Sequence, residues 1–148
     1  LRAKFLISGD HILGTITSNI TSWTGRDDFL GLYLSSLEKV NRLEINVVLP
    51  GHREIITEPY KRIAELKNHH YHRLAEVFGI LSKGPMNAYQ VASHMHWDVK
   101  ADSWEDFPSY QRWFATGEAI AHLEHLLERN IIQQKAETSA RLFYNPLL

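Results

Sequence analysis

The sequence predicts an α/β segment followed by a mainly α-helical module that ends in a hairpin, and three observations lead to this fold class. Two short apolar runs, 4–8 and 43–49, flank a stretch with helical periodicity and indicate strand, helix and strand. Beyond Pro85, two further helical patterns precede two strand-like runs. The formal charge changes at the same point, from +2 over the first 84 residues to −3 over the last 64.

The first element, 4–8, is predicted to be a buried strand, because its apolar run is short and ends in Ser-Gly-Asp. The next residues are rich in Thr, Ser, Gly and Asn and indicate a loop. Asp27 or Asp28 can cap a helix over about 29–41, where apolar residues recur at helical spacing. The second apolar run, 43–49, is predicted to be a strand that Pro50-Gly51 terminates.

The long helical pattern that follows begins at Thr57 or Glu58, with Pro59 well placed in the first turn. It stops at Lys-Gly-Pro, residues 83–85. The residues predicted to form its apolar face are Ile63, Tyr71, Leu74, Phe78 and Leu81.

The acidic tail combines two helices with a hairpin. Asn87 can cap a short helix, and a longer one runs over about 108–129, where Asn130 suits a left-handed C-terminal cap. Two short strands, 131–135 and 141–145, follow. Together with the long helix that ends before the tail, the order is helix, helix, helix, hairpin. That order is typical of a winged-helix module.

The composition is that of a soluble globular protein and excludes several classes. Hydrophobic residues make up 44% of the 148 and charged residues 22%, as in ordinary folded domains. The chain has no Cys, which excludes a disulfide framework and a Cys-ligated zinc site. No apolar run approaches about 18 residues and the features of a signal peptide are absent. We therefore expect a cytoplasmic protein with no membrane partner.

Asp10 and His52 are the candidate site residues, because each directly follows a predicted strand and a Gly. Ligands of open α/β sheets bind beyond the carboxyl ends of the strands. Carboxylate and imidazole are both good ligands for zinc, manganese or iron. Spacing alone makes this a weak signal, since an Asp after a strand is usually a turn or capping residue.

The segments around this pair carry a family resemblance. Ser8-Gly9-Asp10-His11, followed by Leu49-Pro50-Gly51-His52, resembles the last two metal motifs of the metallo-β-lactamase fold. The later segments that resemble one hydrolase branch of that superfamily, including its small winged-helix tail, are 62–66, 69–70, 73–74, 88–92 and 118–123. The resemblance therefore covers nearly the whole chain.

The resemblance implies specific roles. Asp10 matches the aspartate that bridges two metals, and His52 matches the histidine that binds the second metal. The implied cofactor is zinc or another divalent metal, two per site. His11 is not a ligand in the pattern, and Arg53 stands where many relatives have another Gly.

The domain organisation that follows has three parts. Residues 1–58 are expected to be the C-terminal part of a metallo-β-lactamase αββα fold, residues 59–84 a helical connector, and residues 85–148 a winged-helix-like domain. The fold class is thus an α/β remnant followed by a mainly α domain.

One departure from the family pattern limits the expected activity. The motif His-x-His-x-Asp-His is absent from the sequence, and one carboxylate with one imidazole is too few for a tetrahedral zinc site. We therefore expect the C-terminal portion of a hydrolase of esters, thioesters, lactones or phosphodiesters, inactive and without stably bound metal by itself. The expected partner is the missing N-terminal half of the fold, and exposed sheet edges make a homodimer a further expectation.

The alternative function is a non-enzymatic winged-helix regulatory or interaction module. DNA binding is not expected, because a surface that tracks phosphates needs an excess of basic residues and the tail is acidic.

Other residue groups have two interpretations each. His122 and His125, with Glu118, could share a metal on one helix face, but such polar rows usually face solvent. Lys61, Arg62 and Lys67, with Arg53, could attract an anionic substrate or simply form a solvated helix face. The aromatic residues Trp97, Trp104, Trp113 and Phe114 could form a ligand platform, but such clusters more often form the core of a small module.

Overall fold

The computed structural model describes residues 4–23, 27–138 and 141–147. It has a mixed α/β fold, as the sequence predicts. The elements are β1 (Phe5–Gly9), α1 (Phe29–Asn41), β2 (Val47–Pro50), α2 (Pro59–Leu81), α3 (Ala88–His94), α4 (Ser109–Glu128), β3 (Ile132–Thr138) and β4 (Arg141–Pro146).

The chain divides into two compact units. Unit 1 comprises Leu1–Asn19 and Leu32–Tyr71, and unit 2 comprises Ile20–Gly31 and His72–Leu148. Helices α1 and α2 each contribute residues to both units. The boundaries predicted after residues 58 and 84 stay a prediction.

Unit 1 is built on the parallel pair of β1 and β2. Phe5 lies opposite Val47 and Gly9 opposite Pro50, so the carboxyl ends of the two strands meet at one edge. Val48 also exchanges two backbone hydrogen bonds, of 2.9 and 3.0 Å, with Ile56 of the following loop. Buried core residues of this unit are Ile12, Leu13, Leu34, Leu37, Val48, Ile63 and Leu66.

The expectation that β1 is a buried strand is wrong. Phe5 is 63% exposed and Ile7 is 74% exposed, because successive side chains of a strand point to opposite faces and one face of β1 is uncovered.

The predicted apolar face of α2 needs a correction at two positions. Tyr71 is 49% exposed and Phe78 is 40% exposed. The residues of α2 that are buried are Pro59, Ile63, Leu66, His70, Arg73, Leu74, Val77, Ile80 and Leu81. They recur every three or four positions, as a helical face requires, and the imidazole of His70 is among them.

Unit 2 combines α3 and α4 with the antiparallel hairpin of β3 and β4. Asn87 caps α3 in a capping box with Gln90, as predicted for that residue. Asn130 has φ 55, which is the left-handed conformation expected after α4. Met86 pairs with Tyr144 of β4 through backbone hydrogen bonds of 3.1 and 2.9 Å.

Of the four tail aromatics expected to form a core, Trp97 and Trp104 are partly buried, whereas Trp113 and Phe114 are exposed. Trp113 is 52% exposed and Phe114 is 44% exposed. Trp113 stacks on Trp23 with ring centroids 3.9 Å apart, and Gly117 admits that indole, since a Cβ there would lie 2.5 Å from the Trp23 ring. Within the described residues, no helix is both long enough and apolar enough to cross a membrane.

Candidate metal centre

The turn after β1 brings Asp10 to the end of β2. Gly9 has φ +53, a left-handed conformation that glycine adopts without steric cost. Gly51 donates its backbone N–H to the Gly9 carbonyl at 2.9 Å. The residues that follow the two strands, Asp10 and His52, therefore lie beside each other.

The two side chains are close together and open to solvent. The Asp10 Oδ1 and His52 Nε2 atoms are 3.4 Å apart, and the side chains are 70% and 67% exposed. Two ligands bound about 2.0–2.1 Å from a tetrahedral ion lie about 3.3 Å from each other. The donor atoms and their separation thus fit two ligands of one divalent ion.

The donor set is partial. Residues 4–23, 27–138 and 141–147 contain no group of three or more His, Asp and Glu side chains arranged to hold a metal. Structural zinc sites have four ligands, and catalytic ones have three from the protein. Asp10 and His52 are therefore compatible with part of a metal centre.

Glycine at position 51 leaves space for the Asp10 carboxylate and does not have a positive φ. A Cβ there would lie 3.0 Å from Asp10 Oδ1, so any larger residue displaces the carboxylate. The left-handed backbone of this loop occurs two positions later, at Arg53, which has φ 71. Non-glycine residues rarely adopt that conformation.

Buried hydroxyls hold the backbone from which Asp10 projects. Ser18 Oγ donates toward the Asp10 carbonyl at 2.5 Å and the His11 carbonyl at 3.2 Å. Tyr33 Oη donates to the His11 carbonyl at 3.1 Å. The His11 ring packs edge-on against Tyr33, with centroids 5.3 Å apart, and burial lowers the pKa of His11.

Arg62 anchors the next part of the same loop. Its Nε donates to the Leu13 carbonyl at 2.6 Å, and its second terminal nitrogen donates to the Ile16 carbonyl at 2.8 Å. A salt bridge of 3.0 Å joins it to Glu65. The guanidinium is thus engaged in structure, which removes Arg62 from the residues suggested to attract an anionic substrate.

A second Asp–His pair lies in unit 2. The Nδ1 of His125 is 2.8 Å from Asp28 Oδ1, with side chains 3% and 20% exposed. Asp28 also accepts from the Gly31 N–H at 2.7 Å, so it caps α1, and Arg129 lies 3.2 Å from its other oxygen.

The pKa shifts show how this second pair is charged. Burial lowers the pKa of His125, although Asp28 opposes the shift. Burial by itself would raise the pKa of Asp28, but the hydrogen bonds from His125 and Gly31 outweigh it and hold this pKa below its usual value. The Asp28 carboxylate and the Arg129 guanidinium lie 2.8 and 3.1 Å from the same His125 Nδ1 atom, and they shift the pKa of that imidazole in opposite directions.

The expectation that His122 and His125 face solvent is wrong. They are 0% and 2% exposed. His122 Nδ1 lies 2.8 Å from the carbonyl of Glu118. Buried polar groups in folded proteins normally have a hydrogen-bond partner of this kind. The Glu118 carboxylate lies 3.3 Å from Arg73, so it is an ion-pair partner there.

Comparisons with known proteins point to one superfamily. The family model described as "Metallo-beta-lactamase-like, C-terminal domain" matches residues 74–146. A beta-lactamase domain protein from Burkholderia ambifaria is 30% identical over 97% of this chain, with a TM-score of 0.86. A metallo-beta-lactamase family protein from Thermus thermophilus is 28% identical over 97%, with a TM-score of 0.79. The comparison with curated proteins finds no match.

These likenesses support the metallo-β-lactamase superfamily. The chain spans 42% of the length of each of the two solved structures. Asp10 and His52 lie outside the residues that the family model matches. Their role as metal ligands and the winged-helix character of the tail thus stay predictions.

Proposed function

We propose that Asp10 and His52 are two ligands of a divalent-metal centre in a hydrolase related to the metallo-β-lactamase superfamily. The observation that carries this proposal is the 3.4 Å separation of their donor atoms, on exposed side chains at the adjoining ends of β1 and β2. A divalent ion in such a centre activates water and polarises the bond under attack, in an ester, thioester, lactone or phosphodiester.

The two residues have different parts in the proposed centre. The Asp10 carboxylate has two oxygens, so it can bridge two ions, while the Nε2 of His52 can bind one. The backbone hydrogen bond between Gly51 and Gly9 keeps the two strand ends together.

The remaining ligands are proposed to come from a polypeptide segment with the motif His-x-His-x-Asp-His, which does not occur in this sequence. Two observations support this: the donor set of the described residues is partial, and the related structures are longer than this chain. The exposed Phe5 and Ile7 give such a partner an apolar surface to cover. By itself, the chain is expected to have no hydrolase activity.

Metal binding tests the proposal directly. We expect Mn²⁺ titrated into the ¹⁵N-labelled chain to broaden the NMR signals of Asp10 and His52 before all others. Asp10→Asn and His52→Gln should each abolish this selective broadening, whereas His72→Gln, at an exposed position of α2, should preserve it. Broadening that survives both site variants would refute the ligand assignment.

The inactivity of the chain is tested in parallel with a chromogenic ester. Hydrolysis by the pure 148-residue chain that depends on added Zn²⁺ or Mn²⁺ would contradict it.

We also propose that residues 85–148 form a winged-helix-like module that contacts protein rather than DNA. The order of α3, α4 and the antiparallel β3–β4 hairpin favours the module. Its negative charge disfavours DNA, and Arg129 is already paired with Asp28. Salt-dependent binding of the chain to a labelled DNA duplex, measured by fluorescence anisotropy, would overturn this assignment.

A further inference from the structure

The loop of residues 10–16, here called the Asp10 loop, lies between the end of β1 and Ser18 and has no helix or strand of its own. Its carbonyls are nonetheless bonded by side chains. Ser18 donates to the carbonyls of Asp10 and His11, and Tyr33 also donates to that of His11. Ser8 donates to the carbonyl of Ile12. Arg62 donates to the carbonyls of Leu13 and Ile16. Loops usually leave such groups to water and are correspondingly mobile.

The donors nearest to Asp10 are buried, whereas its carboxylate is open. Tyr33 is 7% exposed and Ser18 is 9% exposed, and the Asp10 side chain is 70% exposed. The two hydroxyls bond the carbonyls of Asp10 and His11, which belong to the two peptide groups that follow the Asp10 Cα atom. The backbone at Asp10 is therefore fixed from the inside while its side chain faces outward.

We propose that Tyr33 and Ser18 are positioning residues that preorganise Asp10 for metal binding. The inference rests on the proposed function, in which Asp10 is a ligand. Neither hydroxyl is placed to touch the ion, and each acts through the backbone that sets the direction of the carboxylate. Removal of a group that orients a metal ligand without contacting the metal typically lowers metal affinity by about 10- to 100-fold.

Tyr60 is a matched control for Tyr33. Its hydroxyl also joins backbone groups within unit 1, since it donates to the Leu43 carbonyl at 2.9 Å and accepts from the Ile45 N–H at 3.0 Å. Those groups precede β2 and lie at the opposite end of the strand from His52. Replacement of either Tyr by Phe keeps the ring and removes one hydroxyl. Tyr60 is 44% exposed and loses two backbone bonds, whereas Tyr33 is 7% exposed and loses one, so the control tests the loss of a hydroxyl that bonds backbone away from Asp10.

The experiment compares Mn²⁺ dissociation constants and melting temperatures. The constants come from NMR line broadening at Asp10 and His52 in the wild-type chain, Tyr33→Phe, Ser18→Ala and Tyr60→Phe. We expect Tyr33→Phe and Ser18→Ala to weaken binding about 10-fold. We expect Tyr60→Phe to lower the melting temperature and to change the dissociation constant by less than about twofold.

A metal-free readout separates positioning from stability. ¹⁵N relaxation should give lower order parameters at Asp10 and His11 in Tyr33→Phe than in the wild-type chain, whereas Tyr60→Phe should leave them unchanged. Wild-type affinity in both Tyr33→Phe and Ser18→Ala would overturn the inference, as would equal weakening by Tyr60→Phe.

The failure of the inference differs from the failure of the proposed function. If Asp10→Asn binds Mn²⁺ as tightly as the wild-type chain, Asp10 is not a ligand and both proposals fall. If Asp10→Asn abolishes binding while Tyr33→Phe and Ser18→Ala do not weaken it, Asp10 remains a ligand and the positioning role alone is wrong.

Discussion

Two Asp–His pairs of the same chemistry have different surroundings in this chain. Asp10 and His52 follow the ends of two adjacent strands. The Asp10 Oδ1 and His52 Nε2 atoms are 3.4 Å apart, and both side chains are about two-thirds exposed. Asp28 and His125 are 2.8 Å apart and largely buried. The first pair lies in unit 1 and the second in unit 2.

The difference lies in what else each carboxylate does. Asp28 caps α1 through Gly31 and also pairs with Arg129, so its oxygens are already engaged in structure. The Asp10 carboxylate faces solvent, and it is the Asp10 backbone that is bonded. A carboxylate–imidazole pair can bind a ligand when its side chains make no structural hydrogen bonds with the rest of the fold and its backbone is fixed by hydrogen bonds.

The largest expected contrast is in the free energy of unfolding after removal of each Asp. Asp28→Ala removes a helix cap and leaves His125 and Arg129 without their partner, so we expect a loss of about 2–4 kcal/mol. Asp10→Ala removes an exposed side chain and should change stability by less than about 0.5 kcal/mol. Urea denaturation of the two variants checks this, and equal losses would erase the distinction between the pairs.

A smaller contrast is expected from the glycine beside each carboxylate. A Cβ at Gly31 would lie 2.0 Å from an oxygen of Asp28, and a Cβ at Gly51 would lie 3.0 Å from an oxygen of Asp10. Asp28 is held in place by several bonds, so Gly31→Ala should cost about 1–3 kcal/mol. The exposed Asp10 side chain can move aside, so Gly51→Ala should cost less than about 1 kcal/mol. Denaturation midpoints measure both, and a greater cost at Gly51 would contradict this.

The smallest expected effect is the pH dependence contributed by His125. Its folded pKa lies below the ordinary value of 6.5, so the unfolded chain takes up this proton first as the pH falls. The stability contributed by neutral His125 is therefore present above about 6.5 and is lost as the pH falls from there toward the folded pKa. The partly buried Glu118 and the buried Glu124 have pKa values raised by desolvation, and they act in the opposite sense.

The ¹H NMR titration of the His125 ring isolates its own contribution. We expect a midpoint below 6.5 in the wild-type chain and a lower one in Asp28→Asn, because that variant removes the charge that favours the imidazolium. A wild-type midpoint above about 6.5 would mean that the buried pair is an ion pair.

Much of the fold was predictable because local signals are strong at the element ends. Pro59, Asn87 and Asn130 mark helix ends in the structure as they do in the sequence. The proximity of Asp10 to His52 was also predictable, since the carboxyl ends of neighbouring parallel strands meet at one edge.

The supporting residues of the site were not predictable in the same way. Ser18 lies in a polar loop, and Tyr33 and Arg62 lie on helices 22 and 49 positions from the carbonyls that they bond. Separations of that kind have no periodicity, so no pattern in the sequence connects these residues with Asp10.

The sequence by itself determined where helices and strands form and which two residues meet at the strand ends. Capping, periodicity and strand polarity act over a few residues, and each is readable along the chain. Only the tertiary structure decided that Asp28 and His125 are buried, that Arg62 holds a loop and that Asp10 remains open. Burial and long-range hydrogen bonding depend on which faces pack together, and that is a property of the folded chain as a whole.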